Sequence, residues 1–247
     1  MEINNRTVRL NERPGGLPEK KTWSFNEENF DLELGENEFL IKNEFISLDP
    51  AMRGWLNDTR SYIKPVQLGD VMRAGTVGKI IKSKNKYFNE GDYVSGWGGV
   101  QDYTITNGEN FQKINDDKVS KESYLGVLGM PGFTAYFGII REGKIKSGDT
   151  VVVSAAAGAV GSVVGQIAKI KGCKVIGIAG GEEKCKYVTK DLKFDYCLDY
   201  KGESFFSELK DKCKDGVDVY FDNVGGSLLN HMLIFINRGA RIVICGA

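Results

Sequence analysis

Gly158 and Gly161 stand where a β-branched apolar run, VVVS, passes through AAAGAVG into the helix-patterned SVVGQIAKIKG. Their spacing, Ala155-x-x-Gly158-x-x-Gly161, places two residues without a Cβ at a strand-to-helix turn. There backbone N–H groups and a helix dipole can meet a diphosphate closely. Ala159 and Val160 lie between them, so the predicted cradle is Gly158, Ala159, Val160 and Gly161. The usual fingerprint has glycine where this chain has Ala155, so the pattern alone is incomplete and its context has to support it. Val160, Val163, Val164, Ile167 and Ala168 keep the stripe of a helix buried on one face, while Gln166 and Lys169 fall outside it. Two other readings compete: a ligand-free contact between small residues, and a membrane span, since no charge occurs between Val151 and Ala168. Glycines, alanines and a charged sequel favour strand plus helix.

A nicotinamide dinucleotide site that selects against a 2′-phosphate carries a carboxylate about 20 residues after the glycines. This chain has Ala179-Gly180-Gly181 there, and Lys184 follows within one helical turn. A lysine so near a helix start opposes the dipole, which is easier to understand if it faces a bound anion. A solvated lysine balanced by Glu182 and Glu183 is the alternative. The pattern favours NADP over NAD. Tyr200, after the third strand, could lie at the same adenosine end, and Asp222-Asn223-Val224-Gly225-Gly226 follows the fourth strand at the ligand-binding edge. Tight turns have the same composition.

These residues need a scaffold. The 247 residues are 41% apolar and 27% charged, which describes a globular chain of one large or two modest domains. Lys+Arg and Asp+Glu number 33 each, so charge gives no reason to expect nucleic acid or an anionic membrane as partner. Residues 1–16 are polar, without the apolar core of a secretory signal, and a cytoplasmic location is expected. Cys173, Cys185, Cys197, Cys213 and Cys245 form no C-x-x-C pair and read as reduced thiols. With His231 as the only histidine, set in the helical stretch LLNHMLIFI, neither a His/Cys metal site nor a Ser–His–Asp triad is expected.

Two patterns divide the chain. Up to about Asp117, short β-type runs (EFLIKNEFISL, GTVGKIIKS, GDYVSGWGGVQDYTIT) alternate with turn signals and predict a mostly β, barrel-like domain over 1–124. Over 125–247 strands and helices alternate: strands at 150–154, 174–179, 196–198, 217–221 and 241–245, helices ending at 171 and spanning 182–190, 205–213 and 226–236. Such βα units build a doubly wound parallel sheet, giving an α/β fold overall. Five strands are countable, against the usual six, so the dinucleotide-binding domain is expected to lack its C-terminal part.

AAAGAVGSVVGQIAKIKGCKVIGIAGGEEKCKYV, VDVYFDNVGG and GARIVICGA, with SLDPAMRG, GDVMRAGTVGKI and YLGVLGMPGFTAYFG upstream, resemble the zinc-independent medium-chain dehydrogenase/reductases. The nearest branch resembles the NADPH-dependent alkenal/one oxidoreductases, which include prostaglandin and curcumin reductases. The resemblance implies a GroES-like first domain followed by a Rossmann domain. It implies that Gly158 to Gly161 hold the pyrophosphate, Gly180, Lys184 and Tyr200 the phosphorylated adenosine end, Asn223 the nicotinamide side, and Cys245, Gly246 and Ala247 the start of the nicotinamide loop. Met52, Arg53 and Met130 become candidates for the substrate pocket.

The implied reaction is hydride delivery from NADPH to the β-carbon of an α,β-unsaturated ketone or aldehyde, with a possible homodimer and no metal. The family carries tyrosine where this chain has Ala51, and its loop tyrosine near the nicotinamide would lie beyond Ala247, so no catalytic residue is assigned within the sequence. Two other readings stay open: an NADPH-binding remnant without catalysis, and a quinone reductase of the same superfamily.

Overall fold

The computed structural model describes residues 2–114 and 118–246 and divides into two compact units, Met1–Leu125 and Gly126–Ala247. The first unit is antiparallel. Strands β1 (Glu2–Leu10) and β2 (Trp23–Asp31) form a two-stranded ribbon. Then come β3 (Phe39–Ile46), the single-turn helix α1 (Ala51–Trp55), β4 (Thr76–Ser83), β5 (Tyr93–Gly96), β6 (Tyr103–Thr106) and β7 (Phe111–Ile114). The five later strands make one sheet in the order β6-β3-β4-β5-β7. Phe39, Ile41, Ile80 and Val94 bury one face of it, with Phe88 stacked on Phe39 at 4.6 Å between ring centroids. A second cluster gathers Leu10, Trp55, Leu56, Val66 and Met72.

The second unit opens with α2 (Met130–Phe137), which widens into a π turn over Gly138–Glu142. Its βα succession is β8 (Thr150–Ser154), α3 (Ala159–Ile170), β9 (Lys174–Ala179), α4 (Glu182–Lys190), β10 (Tyr196–Asp199), α5 (Phe205–Lys212), β11 (Val217–Asp222), α6 (Gly226–Met232) and β12 (Ile236–Ile244). The five strands are parallel, in the order β10-β9-β8-β11-β12. β8 is central and buried along its whole length, which explains why it reads as an unbroken apolar run and not as an alternation. Val151 and Val153 enter one core with Val164, Ala168, Phe194 and Phe221, while Val152 enters the opposite core with Ile176, Leu198, Leu209 and Tyr220. Each such valine contributes roughly 1.5–3 kcal/mol by leaving water.

α3 meets the sheet through glycine. A Cβ on Gly165 would lie 1.8 Å from Cζ of the buried Phe194, so the ring occupies the space a side chain would take. Two boundaries differ from the sequence expectation by more than one residue. The last helix stops at Met232 instead of 236, and the last strand begins at Ile236 instead of 241. Val217 pairs with Ile236, and a register shift, with Gly239 at φ +80°, carries the strand on to Arg241 opposite Val219. His231 packs edge-on against Phe206 at 4.5 Å between ring centroids, as a helix residue should. All five cysteines are free thiols.

Candidate functional site

The glycine turn forms at the carboxyl end of the central strand. Ala155 leaves β8 with φ +48°, the left-handed conformation that glycine enters at no cost and alanine enters at about 1–2 kcal/mol. Its carbonyl accepts the Gly158 N–H at 2.9 Å and closes the turn. A Cβ on Gly161 would lie 2.4 Å from that carbonyl oxygen, so Gly161 is glycine because the first turn of α3 sits on the β8 exit. Gly158 is the N-cap and has no side chain to cap the helix. The first bond back is Ser162 N–H to Gly158 C=O at 2.9 Å, so the N–H groups of Ala159, Val160 and Gly161 point out of the helix start without an intrahelical acceptor. Three amides on the positive end of a twelve-residue helix can receive a diphosphate.

The β9 exit is a shelf. A Cβ on Gly180 would lie 2.8–3.0 Å from Cε1, Cζ and Oη of Tyr200, so the exposed tyrosine ring lies against this backbone. Gly181 turns at φ +95° into α4. Lys184, on the first turn of α4, is exposed and forms no ion pair among the described residues. Glu182 is engaged by Lys186 at 2.6 Å, so one of the two carboxylates considered as balancing Lys184 is taken by another lysine. Two residues here escaped sequence reasoning. Asp199 accepts N–H bonds from Gly181 at 2.8 Å and Lys201 at 3.0 Å, and these donors, Gly181 first, hold its carboxyl below the usual carboxylate range. Lys201 places its ammonium 6.0 Å from the Tyr200 ring centroid. The available signal was position, since both flank Tyr200 directly.

On the other side of β8 a buried polar knot joins the exits of β8 and β11. The Asp222 Oδ1 accepts from Tyr220 Oη at 2.9 Å, Ser154 Oγ at 3.2 Å, and the N–H groups of Val224 at 3.1 Å and Gly225 at 2.9 Å. Asn223 donates its side-chain Nδ2 to the Ser154 carbonyl and its backbone N–H to Ser154 Oγ, both at 2.8 Å. Its amide thus ties two strand ends together. The Asp222 carbonyl accepts the N–H groups of Cys245 at 2.8 Å and Gly246 at 3.1 Å, so the chain leaving β12 is pinned beside Asn223. Ala247 lies outside the described residues.

The substrate candidates are carried by other elements. Met52 and Arg53 are on α1 of the first unit, and Met130 starts α2 of the second. Arg53 donates to the carbonyls of Gly16 at 2.8 Å and Pro14 at 3.0 Å and to Asn57 Oδ1 at 2.7 Å, so its guanidinium braces the loop before β2. The Met52 sulfur accepts the Asp49 N–H at 3.3 Å, and Met130 is exposed. Among the described residues no group of three or more His, Cys, Asp or Glu is arranged to hold a metal ion. Nor is any described helix long and apolar enough to cross a membrane.

Comparison with known proteins decides the family. Residues 6–114 match the model described as the N-terminal domain of oxidoreductase, and residues 159–247 match the one described as zinc-binding dehydrogenase. The NADPH-dependent curcumin reductase of Escherichia coli (strain K12) is 44% identical over 242 residues, covering 98% of this chain and 70% of that protein. The chain belongs to the medium-chain dehydrogenase/reductase family. Within this family it stands among NADPH-dependent reductases. The 2-alkenal reductase (NADP(+)-dependent) of Nicotiana tabacum is 38% identical, over 99% of this chain and 73% of that one. The crystal structure of CurA in complex with NADPH from Vibrio vulnificus superposes with a TM-score of 0.92 at 43% identity, over 98% of this chain and 71% of that one. The medium-chain dehydrogenase/reductase fold accounts for both units, the antiparallel first and the parallel-sheet second.

Proposed function

We propose that this oxidoreductase reduces the carbon–carbon double bond of α,β-unsaturated ketones or aldehydes with NADPH. The observation that carries the cofactor half of this reading is the β9 exit. Positions 180 and 181 carry no carboxylate of their own, the Asp199 carboxylate is taken up by the Gly181 and Lys201 N–H groups, Tyr200 covers the Gly180 backbone, and Lys184 is exposed without an ion-pair partner among the described residues. That is a surface for a phosphorylated ribose, whereas a ribose 2′-hydroxyl calls for an acceptor. The cradle fits as well, since the α3 amides are uncapped and glycine occupies the position closest to the turn.

In this reading the N–H groups of Ala159, Val160 and Gly161 hold the pyrophosphate. Lys184 binds the 2′-phosphate, Tyr200 and Gly180 carry the adenosine end, and Lys201 adds charge beside them. Asn223, Cys245 and Gly246 border the nicotinamide side, where the Ser154–Asn223 clamp fixes the strand exits. NADPH, when bound, supplies a hydride for the β-carbon of the conjugated substrate. Met52 and Met130 are the candidates for touching that substrate, and the Arg53 contacts shape the loop next to α1. Support for the enone class comes from the relatives named as curcumin and 2-alkenal reductases.

The test is to mix the protein with NADPH and a 2-alkenal or a conjugated diketone, follow the absorbance of the reduced nicotinamide, and identify the product by mass. Consumption with formation of the saturated carbonyl is the expected outcome. Tight NADPH binding with no consumption across both substrate classes would sink the reaction while leaving the cofactor reading standing.

A further inference from the structure

The sheet order places the cofactor's two halves. The amide cradle is at β8, in the middle, and the Gly180–Tyr200–Lys184 shelf lies at the exits of β9 and β10. A dinucleotide held at its centre and at its adenosine end extends its nicotinamide half over the exits of β11 and β12. At that edge the protein has buried a carboxyl group. Asp222 is fully buried, its Oδ1 takes four donors, and its Oδ2 has no hydrogen-bond partner among the described residues. Among those residues no lysine or arginine forms an ion pair with it. A buried charge without a counter-ion is expensive, and neutral donors on one oxygen compensate it only in part.

Asp222 also adjoins the ligand edge through the chain that leaves β12. Cys245 is exposed as a residue, yet its thiol is pushed up, first by the protein packed around the sulfur and then by repulsion from Asp222. The Asp222 carbonyl fixes the backbone of Cys245 and Gly246, so the position of the charge relative to this edge is set by the fold.

We propose that Asp222 is an electrostatic positioning residue that favours the oxidised cofactor over the reduced one. The nicotinamide ring is neutral in NADPH and cationic in NADP+. A fixed negative charge beneath the β11 exit, in a low-dielectric surrounding, therefore stabilises the oxidised form selectively. A group that merely held the turn together would affect both forms alike. The inference rests on the dinucleotide reading above.

The experiment measures dissociation constants for NADPH and NADP+ by titration calorimetry, on the wild type and on Asp222→Asn. The variant keeps an oxygen for the four donors and removes the charge. The Kd(NADP+)/Kd(NADPH) ratio is expected to rise by ~5-fold or more. A second pair, Cys245→Asp against Cys245→Asn, adds charge at an exposed position and should lower the same ratio. If circular dichroism shows that Asp222→Asn does not fold, Asp222→Ser, which removes the same charge, decides the matter in its place. Ratios that stay within about twofold while both constants move together would overturn the proposal. A wild type that binds neither form overturns the dinucleotide reading, and the inference with it.

Discussion

Lys184 and Ala155 show how single residues tune this site. Lys184 sits where the dipole of α4 disfavours it, and its neighbour Glu182 pairs with Lys186, so its own charge faces solvent. Replacing it with alanine should raise the NADPH dissociation constant about tenfold or more and leave that for NADH within about twofold, as a charge-assisted phosphate contact would. Equal changes for both cofactors, read by fluorescence titration, would remove Lys184 from phosphate recognition. Ala155 is a departure the fold tolerates for a reason that magnitudes make plain. Its left-handed conformation costs about 1–2 kcal/mol, and a glycine there would cost about 0.5–1 kcal/mol in lost unfolded-state freedom, so the two residues differ little. Gly161 has no such latitude, since its constraint is the nearby carbonyl and not its dihedral angles.

At the scale of elements, α3 depends on the fit between Gly165 and Phe194. Alanine at Gly165 gains about 1 kcal/mol of helix propensity but drives a methyl group into a buried ring, an overpacking that costs about 1–3 kcal/mol or more. Gly165→Ala should therefore lower the urea midpoint. In a Phe194→Ala background, itself weaker by about 3–5 kcal/mol, the same substitution should become neutral or stabilising. Equal penalties in both backgrounds would show that the ring is not the obstacle.

The α3 stripe and the apolar β8 were legible in the sequence because both faces of the sheet are covered. Strands β1 and β2 were not. The inward positions of β1 are Ile3, Asn5, Thr7 and Leu10, two of them polar, with Asn5 bonded to the Gln101 side chain at 3.1 Å. A strand that buries amide and hydroxyl groups against a polar partner does not show the alternation a reader looks for. The early start of β12 was hidden in the same way, because a register shift around Gly239 breaks its period. At the site, the glycines, Lys184 and Tyr200 were visible as types and spacings. The Asp222–Ser154 knot depends on pairing strands far apart in sequence, which no local pattern reveals.

In the whole molecule, the second unit is wound outward from its first strand. β8 pairs with β9 one crossover later and β10 follows, so half of the sheet grows from neighbouring segments. The opposite half waits for β11, whose Asp218 receives the Thr150 N–H across 68 residues of chain. Closing that loop costs more entropy than any step before it. Amide protection during refolding, followed by pulsed hydrogen exchange, should therefore appear in β8, β9 and β10 before β11 and β12. Simultaneous protection of all five strands would refute this order. The chain would thus acquire its affinity in two instalments: an early intermediate with the glycine turn and the Tyr200 shelf already able to retain an adenosine phosphate, and a later state in which the redox half of the cofactor first finds a surface to lie on.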